Sequence, residues 1–204
     1  MLVITKSCGL LQANMYVVYD ERKNALVIDP ISLPTLREVL SEHSLSLRAI
    51  FLTHAHFDHV FDLMPIQKAY AVPSYIHVSE VDALNDSEQN ASYLIGKRSS
   101  YGQCSSTLVH GESLTFGDLI IKAHHTPGHS RGSVCYEIGD ALFSGDTLFS
   151  GGIGRTDLYG GDFPSLAESL RYLSSLDKNF TVYPGHGPST SLFEEKTFNP
   201  YFCF

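Results

Sequence analysis

Short apolar runs separated by polar turns open the chain and predict a mostly antiparallel group of strands. These runs are Leu2–Thr5, Met15–Asp20 and Ala25–Asp29, and the polar turn Glu21–Asn24 joins the last two. The spacing then changes to that of a helix in Pro34–His43, where apolar residues recur on one face. The opening of the chain is therefore predicted to contain both strands and an amphipathic helix.

Strand-like and helical stretches alternate through the rest of the chain. The predicted strands are Leu47–Leu52, Ser74–Val78, Leu119–His125, Ser133–Ile138, Ala141–Ser144 and Phe180–Tyr183. The predicted helices are Val60–Tyr70, kinked or interrupted near Pro65, a helix capped by Ser79, Phe163–Leu176 capped by Asp162, and the short Leu192–Phe198. Thr107–Asp118, with turns at Gly111-Glu112 and Gly117-Asp118, is predicted to be rich in hairpins. The pattern indicates a mixed α/β fold, and one β-rich half followed by another fits a sandwich of two sheets.

The stretch Thr53–Val60, with the sequence T-H-A-H-F-D-H-V, concentrates the chemistry of the chain directly after a buried-strand run. In an extended segment His54, His56 and Asp58 lie on one side, because side chains alternate with period two. His59 does not follow that period, so its side chain is predicted to reach a neighbouring point from the start of the following helix. Such a cluster can supply two sets of ligands to two adjacent metal ions.

Three more polar groups follow apolar strand-like runs, each in a turn that contains glycine. They are His129 in T-P-G-H, Asp146 in S-G-D-T and His186 in P-G-H-G. Strand ends are where ligand sites gather in open α/β sheets. Imidazole and carboxylate oxygen suit zinc, iron and manganese. The sequence thus predicts a metal site built from strand ends.

The ordered pattern H-x-H-x-D-H, His, Asp, His resembles that of the metallo-β-lactamase superfamily, and the resemblance covers nearly the whole chain. It implies one α/β domain over residues 1–204 with four layers, αββα, and a site at the sheet edge. It implies two divalent metal ions, zinc first, with iron or manganese as alternatives. The resemblance implies that His54, His56 and His129 bind one ion. It implies that Asp58, His59 and His186 bind the other, and that Asp146 bridges the two.

The loop Phe149–Gly161, with its G-R-T-D stretch, is similar to the segment after the bridging Asp in short relatives of the type II glyoxalases. Those enzymes hydrolyse thioesters such as S-lactoylglutathione, so a small-molecule thioester is the expected substrate. Arg155 is a candidate partner for a substrate carboxylate; the alternative is an internal pair with Asp157 or Asp162. The longer glyoxalases have Glu and Tyr after the last His, where this chain has Gly187 and Pro188, and they carry a helical extension where this chain stops.

The predicted mechanism is attack by a metal-bridging hydroxide on the thioester carbonyl, with Asp58 as the catalytic group that orients the nucleophile or accepts its proton. One alternative is a persulfide dioxygenase that uses a single iron at His54, His56 or His129, and Asp146. A nuclease of the same fold is disfavoured by the acidic charge, and a β-lactamase by the lack of a signal peptide.

Composition narrows the class of protein further. The net charge is −8 in 204 residues, which argues against a nucleic-acid partner. No apolar run approaches the length of a membrane span, and the N-terminus does not resemble a signal peptide. The four cysteines form no C-x-x-C pair and are predicted to be free thiols. The expectation is a cytoplasmic enzyme, either a monomer or a homodimer, with no membrane partner.

Two predictions concern residues around the metal motif. The polar segment 85–106 is either a surface insertion or a lid over the metals, in which case Tyr93, Lys97, Arg98 or Tyr101 touches substrate. Asp29 and Asn14 are candidates for orienting the metal ligands through hydrogen bonds.

Overall fold

Two six-stranded β-sheets carry the fold in the computed structural model, which describes residues 1–202. The first sheet follows the order of the chain: β1 (Leu2–Cys8), β2 (Ala13–Tyr19), β3 (Asn24–Ile28), β4 (Ser46–Phe51), β5 (Ser74–His77) and β6 (Ser106–Leu108). The second contains β7 (Ser113–Phe116), β8 (Leu119–His125), β9 (Val134–Ile138), β10 (Ala141–Gly145), β13 (Thr181–Pro184) and β14 (Thr190–Ser191). A separate two-stranded ladder is made by β11 (Leu148–Phe149) and β12 (Gly152–Ile153).

The pairing within each sheet mixes both directions. In the first sheet β1, β2 and β3 are antiparallel, as predicted, and β3 through β6 are parallel. In the second sheet the order is β14, β13, β10, β9, β8, β7, and the pair of β10 with β13 is parallel. Parallel neighbours place their carboxyl ends at the same edge of the sheet, where the predicted site residues follow.

Five α-helices and four short 3₁₀ turns complete the described structure. The helices are α1 (Leu33–Glu42), α2 (Phe57–Val60), α3 (Leu63–Tyr70), α4 (Phe163–Ser174) and α5 (Leu192–Phe198). The 3₁₀ turns are Val78–Glu80, Asp82–Asn85, Ser92–Ile95 and Pro200–Phe202. Asp162 caps α4, as predicted, by accepting a hydrogen bond from the backbone N–H of Ser165. No helix within residues 1–202 is long and apolar enough to cross a membrane.

Alternation along the strands explains why both faces of each sheet are apolar. In β2, Tyr16 and Val18 point into the space between the sheets, while Met15 and Val17 point towards α1 and α3. The outer face of the second sheet is covered by α4 and α5, with Leu170 among the buried residues. The order of layers is therefore helix, sheet, sheet, helix, and the predicted αββα sandwich is confirmed.

Three local predictions were wrong. The helix after the metal motif breaks at residues 61–62 and not at Pro65, because Pro65 lies in the first turn of α3, where its missing N–H is not needed. Ser79 does not cap an α-helix, since only 3₁₀ turns follow it. The hairpin prediction for 107–118 was wrong for its first part, because β6 pairs with β5 in the first sheet. Its second part is confirmed, since Gly117-Asp118 joins β7 and β8 in an antiparallel hairpin.

Backbone hydrogen bonds join the two sheets where the strand ends meet. Val134 N–H donates to the carbonyl of Thr53 at 2.9 Å, which ties β9 to the loop after β4. Gly185 N–H donates to Gly145 at 2.7 Å, and Asn14 N–H donates to Gly185 at 2.7 Å. These bonds bring the loops after β4, β10 and β13 to one edge of the sandwich.

Candidate metal centre

The structure brings together the seven predicted donor residues at the edge where the strand ends meet. They form three overlapping trios in which one ligand atom from each residue lies within 4.8 Å of the others: His54, His56 and His129; His54, His59 and Asp146; Asp58, His59 and His186. Asp58 lies in the first turn of α2 and not in the extended segment assumed from the sequence. The helical turn still points Asp58 and His59 into the same cleft.

In the first trio, His54, His56 and His129, two of the rings are oriented by hydrogen bonds to neighbouring groups. His129 Nδ1 donates to the carbonyl of Arg155 at 2.8 Å, so its Nε2 carries the free lone pair. That Nε2 lies 2.9 Å from Nδ1 of His56. His54 Nδ1 lies 3.0 Å from the hydroxyl of Thr53. Three imidazoles with converging nitrogen atoms form a set that can hold a divalent ion.

The trio of Asp58, His59 and His186, called the second trio from here on, contains two histidines and a carboxylate. His186 Nε2 lies 3.2 Å from Asp58 Oδ2 and 3.3 Å from His59 Nε2. His59 Nδ1 donates to Asp29 Oδ2 at 2.8 Å, which leaves His59 Nε2 directed into the cleft. The ligand atoms of Asp58, His59 and His186 therefore converge on one point, as the nitrogen atoms of the first trio do.

Asp146 lies between the two trios. Its Oδ1 is 3.4 Å from His59 Nε2, and its Oδ2 is 3.6 Å from His129 Nε2 and 3.7 Å from His186 Nε2. One carboxylate therefore faces a histidine of the first trio and two of the second. Asp146 is therefore placed between the two sets of histidines, and its bridging of two ions stays a prediction.

Burial and charge set the protonation of these groups. Burial lowers the pKa of His54, and neighbouring His59 and His56 lower it further. Burial also lowers the pKa of His56 to about 3. For His59, burial acts in the same direction, but the carboxylates of Asp146 and Asp58 outweigh it and hold the pKa well above its usual range. His54 and His56 are therefore neutral at pH 7, which is the form of imidazole that binds metal ions.

Three buried polar atoms in the cleft have no hydrogen-bond partner. They are His54 Nε2, His56 Nε2 and Asp146 Oδ1. A buried polar group without a partner costs about 1–3 kcal/mol, so several in one cleft require an explanation. Ligation of a cation satisfies lone pairs on imidazole nitrogen and carboxylate oxygen at the same time.

Glycines beside the donors are required by close packing. A Cβ atom on Gly185 would lie 2.0 Å from Asp146 Oδ1 and 2.8 Å from His59 Cε1. A Cβ atom on Gly154 would lie 1.8 Å from the carbonyl oxygen of Asp146. The glycine before His186 and the glycine-rich loop after Asp146 thus let the backbone pack directly against the donors.

Asp29 and Asn14 have the orienting contacts that were predicted for them. Asp29 accepts hydrogen bonds from the backbone N–H and the hydroxyl of Thr53, both at 2.8 Å, as well as from His59. Asn14 donates to the carbonyls of Pro184 and Gly187, on either side of His186, at 3.0 and 2.9 Å. Both residues therefore position loops that carry metal-binding side chains, although neither is itself one of the seven predicted metal ligands.

Glu80 is a buried residue of the site that the sequence did not reveal. Its carboxylate accepts hydrogen bonds from the backbone N–H of Ala55 at 3.1 Å and from that of Gly132 at 2.7 Å. Ala55 lies between His54 and His56, and Gly132 follows His129 in the next loop. One carboxylate therefore connects the two loops that carry the first trio. A single Glu in a 3₁₀ turn offers no sequence pattern that would indicate this role.

Arg155 forms the internal pair that was the alternative to substrate binding. Its Nε and Nη2 donate to Asp157 at 2.6 and 2.7 Å, and the pair is exposed. The backbone carbonyl of Arg155 is the part that reaches the site, through His129. Pairing of Arg155 with a substrate carboxylate stays a prediction.

The segment 85–106 packs against the metal motif and is more than a surface insertion. The backbone N–H of Phe57 donates to the carbonyl of Asn90 at 2.9 Å, and Asn90 is fully buried. Tyr101 is buried among the apolar residues below α3. A cavity of about 220 Å³ between this segment, the loop after β1 and α2 is lined by Asp58, Phe61 and Lys97. Of the seven donors, only Asp58 lines this cavity, which therefore lies beside the donor cleft.

The model of the Metallo-beta-lactamase superfamily matches residues 8–186. The probable metallo-hydrolase YqgX of Bacillus subtilis is 36% identical over 95% of this chain and 93% of its own length. Hydroxyacylglutathione hydrolase GloC of Haemophilus influenzae is 31% identical over 93% of this chain and 92% of its own length.

Two solved structures are similar to this chain over almost its full length. The BLEG-1 B3 metallo-beta-lactamase superposes with a TM-score of 0.93 at 36% identity and 100% coverage of both chains. TTHA1623, solved in a di-iron-bound form, superposes with a TM-score of 0.86 at 36% identity, covering 97% of this chain and 99% of its own. The architecture described above is therefore the architecture of both proteins.

Proposed function

The chain belongs to the metallo-beta-lactamase superfamily, and we propose that it hydrolyses small-molecule thioesters with two divalent metal ions. The resemblance drawn from its motif is confirmed at the level of the superfamily, and the chain is a metallo-hydrolase of that superfamily. One observation carries the proposal: seven donor side chains, each anticipated at a strand or helix end, converge on one cleft. Asp58 also lines a neighbouring cavity whose other walls are mostly apolar.

The donor set fits divalent metal ions. Unpartnered buried atoms on His54, His56 and Asp146 need a cation or another polar partner. Two divalent ions in such a site lower the pKa of a water molecule and stabilise negative charge on a carbonyl oxygen. We assign His54, His56 and His129 to a first ion. We assign Asp58, His59 and His186 to a second ion, and Asp146 to both.

Asp58 is the residue that we assign to proton transfer. Burial raises the pKa of its carboxyl, but His59 and His186 outweigh burial and leave the pKa below the usual value. The carboxylate is therefore ionised at neutral pH and able to accept a proton from an attacking water molecule. Asp58 also lines the cavity, so it faces the space in which a substrate carbonyl would lie.

Support for a thioester comes from three sources. The relative GloC is named a hydroxyacylglutathione hydrolase, and it aligns over almost the whole chain. The G-R-T-D loop, which resembles that of the short glyoxalase relatives, contributes the Arg155 carbonyl that orients His129. The apolar walls of the cavity also suit the carbon arm of a thioester.

The test is thioester hydrolysis by purified protein loaded with zinc, iron(II) or manganese, assayed without oxygen. We expect S-lactoylglutathione or a simple acyl thioester to release its thiol in at least one metal form. An absolute requirement for oxygen would favour the dioxygenase alternative. Absence of hydrolysis with every thioester in all three metal forms would contradict the proposal.

Two variants connect this activity to the site. His56→Ala and Asp146→Ala each remove a donor, and we expect turnover to fall by about a thousandfold or more, together with the bound metal. His43→Ala is the matched control, because His43 lies on the surface after α1, away from the donors. Full activity in His56→Ala or Asp146→Ala would refute the ligand assignment.

One observation favours a second candidate function, hydrolysis of β-lactams. The BLEG-1 structure, named a B3 metallo-beta-lactamase, covers the whole chain with a TM-score of 0.93. A β-lactam amide is opened by the same kind of attack on a carbonyl carbon. A chromogenic cephalosporin assayed beside the thioesters, at equal protein and metal, decides which substrate has the larger kcat/KM.

A further inference from the structure

The cavity beside Asp58 has a composition that restricts what can fill it. It encloses about 220 Å³, and apolar side chains such as Ile31, Phe57 and Phe61 form most of its lining. Lys97 is its one cationic residue, and Asp58 lies at the end next to the donors. At roughly 30 Å³ for each small group, the space accommodates about seven non-hydrogen atoms. A short hydrocarbon chain fits both its volume and its lining.

A second, more open cavity begins on the other side of Phe61 and Lys97. It has a volume of about 710 Å³ and shares these two residues with the first cavity. Lys68 also lines it, and its lining contains no Asp or Glu. The Lys97 ammonium lies 6.0 Å from the centroid of the Phe61 ring, so the two side chains form the boundary between the cavities.

The lysines at this boundary have no anionic partner. Lys68 and Lys97 make no ion pair with any residue in the range 1–202, and the second cavity that both of them line has no carboxylate in its lining. The chain has a net charge of −8, so carboxylates are abundant elsewhere on it. Unpaired cations beside a carboxylate-free opening favour an anionic ligand.

We propose that the substrate is a thioester whose thiol arm is an apolar chain ending in an anionic group, a carboxylate or a phosphate. The apolar part lies in the smaller cavity, and the anion pairs with Lys97 where the second cavity begins. This inference rests on the proposed thioesterase function and specifies its substrate class. It assigns to Lys97 one of the substrate contacts that the polar segment 85–106 suggested.

The test compares acetyl thioesters of one chain length that differ only in the terminal group. The arms are mercaptohexanoate, mercaptohexyl phosphate and the neutral mercaptohexanol. We expect kcat/KM for at least one anionic arm to exceed that for the neutral arm by about tenfold, through a lower KM. The preferred anion identifies carboxylate or phosphate as the natural terminus.

Substitution locates the effect at Lys97. Lys97→Met keeps the apolar stem and should lower kcat/KM for the anionic arm to the value for the neutral arm measured with the same variant. Lys122→Met is the matched control, because Lys122 is exposed on β8, outside both cavities. Acetyl mercaptoacetate, whose carboxylate is separated from the sulfur by one methylene, is the short-arm control and should depend on Lys97 much less. An equal loss with this short arm would indicate general charge attraction and overturn the proposal.

A binding measurement separates this inference from the proposed function. The stable thioether ethylthiohexanoate is titrated calorimetrically into metal-loaded protein, and Lys97→Met should weaken its binding by about five- to tenfold. Thioester hydrolysis without any preference for an anionic arm would overturn the inference and leave the thioesterase function standing. Binding that depends on Lys97, in a protein that cleaves no thioester, would support the anionic subsite and refute the thioesterase function.

Discussion

Replacement of Glu80 by Gln tests whether the two loops of the first histidine trio are held by one carboxylate. Glu80 is 2% exposed and accepts the backbone N–H groups of Ala55 and Gly132 with separate oxygen atoms. Burial raises the pKa of this carboxyl, and the two backbone donors oppose that shift. Gln has the same shape but offers one acceptor and one donor. One backbone N–H is then left facing an NH₂ group.

The expected cost follows from those two hydrogen bonds. A buried N–H without an acceptor costs about 1–3 kcal/mol, so Glu80→Gln should lower the free energy of unfolding by about 2 kcal/mol. Glu80→Ala leaves both donors unpaired and opens a cavity, for which we expect about 3–5 kcal/mol. Loosening of the loops that carry His54, His56 and His129 should also weaken metal binding by about tenfold.

Urea unfolding with and without bound metal measures the stability, and competition with a chelator measures the affinity. Glu38→Gln is the control, because Glu38 is exposed on α1 and should change the free energy of unfolding by less than about 0.5 kcal/mol. If Glu80→Gln matched Glu38→Gln in both measurements, the bridging role of Glu80 would be refuted. A loss of stability with unchanged metal affinity would show that Glu80 supports the fold and not the donor geometry.

Three further perturbations test neighbouring features. Gly185→Ala places a Cβ 2.0 Å from Asp146 Oδ1 and should lower the metal content of the purified protein; full occupancy would contradict the packing. Asp29→Asn removes the charge behind His59 and should weaken metal binding by about tenfold in chelator competition, with equal affinity as the contrary result. Burial lowers the pKa of His77 to about 4, so neutral His77 favours the folded state above pH 6.5, and this stability is lost as the pH falls from 6.5 to 4. His77→Phe should flatten that part of the pH–stability profile of urea unfolding by on the order of 2 kcal/mol; an unchanged profile would refute it.

The donors could be predicted from the sequence because their positions depend on local features. The H-x-H-x-D-H motif is contiguous, and His129, Asp146 and His186 each follow a short apolar strand. Parallel strands put their carboxyl ends at one edge, so residues distant in the chain meet there. The same logic predicted the αββα layers only with help from the family resemblance, because periodicity alone gives a mixture of helices and strands.

The failures share a physical cause, which is pairing between residues far apart in the chain. Residues 107–110 have a local hairpin signal, but β6 pairs in parallel with β5 in the first sheet, while β7 lies in the second. Glu80 contacts Gly132, 52 residues away, and no local pattern encodes that bond. The cavity bounded by Phe61 and Lys97 likewise exists only after the segment 85–106 has packed on α2. Tertiary contacts decide such features, and single-sequence patterns do not contain them.

The metal-binding side chains and the cavity that we propose for the substrate come from different parts of this chain. The donors follow strands β4, β8, β10 and β13 or lie in the adjoining turn of α2, and they are held by Asp29, Glu80 and Asn14, which supply no donor themselves. The cavity walls come instead from the loop after β1, from Phe61 and from the segment 85–106. Lys97 contacts the ring of Phe61 and none of the seven metal-binding side chains within residues 1–202, so we expect a substitution at Lys97 to change substrate preference without moving those side chains. A substitution at Glu80 changes the donor geometry and acts on every substrate alike, so the two kinds of variant are distinguishable by substrate dependence alone.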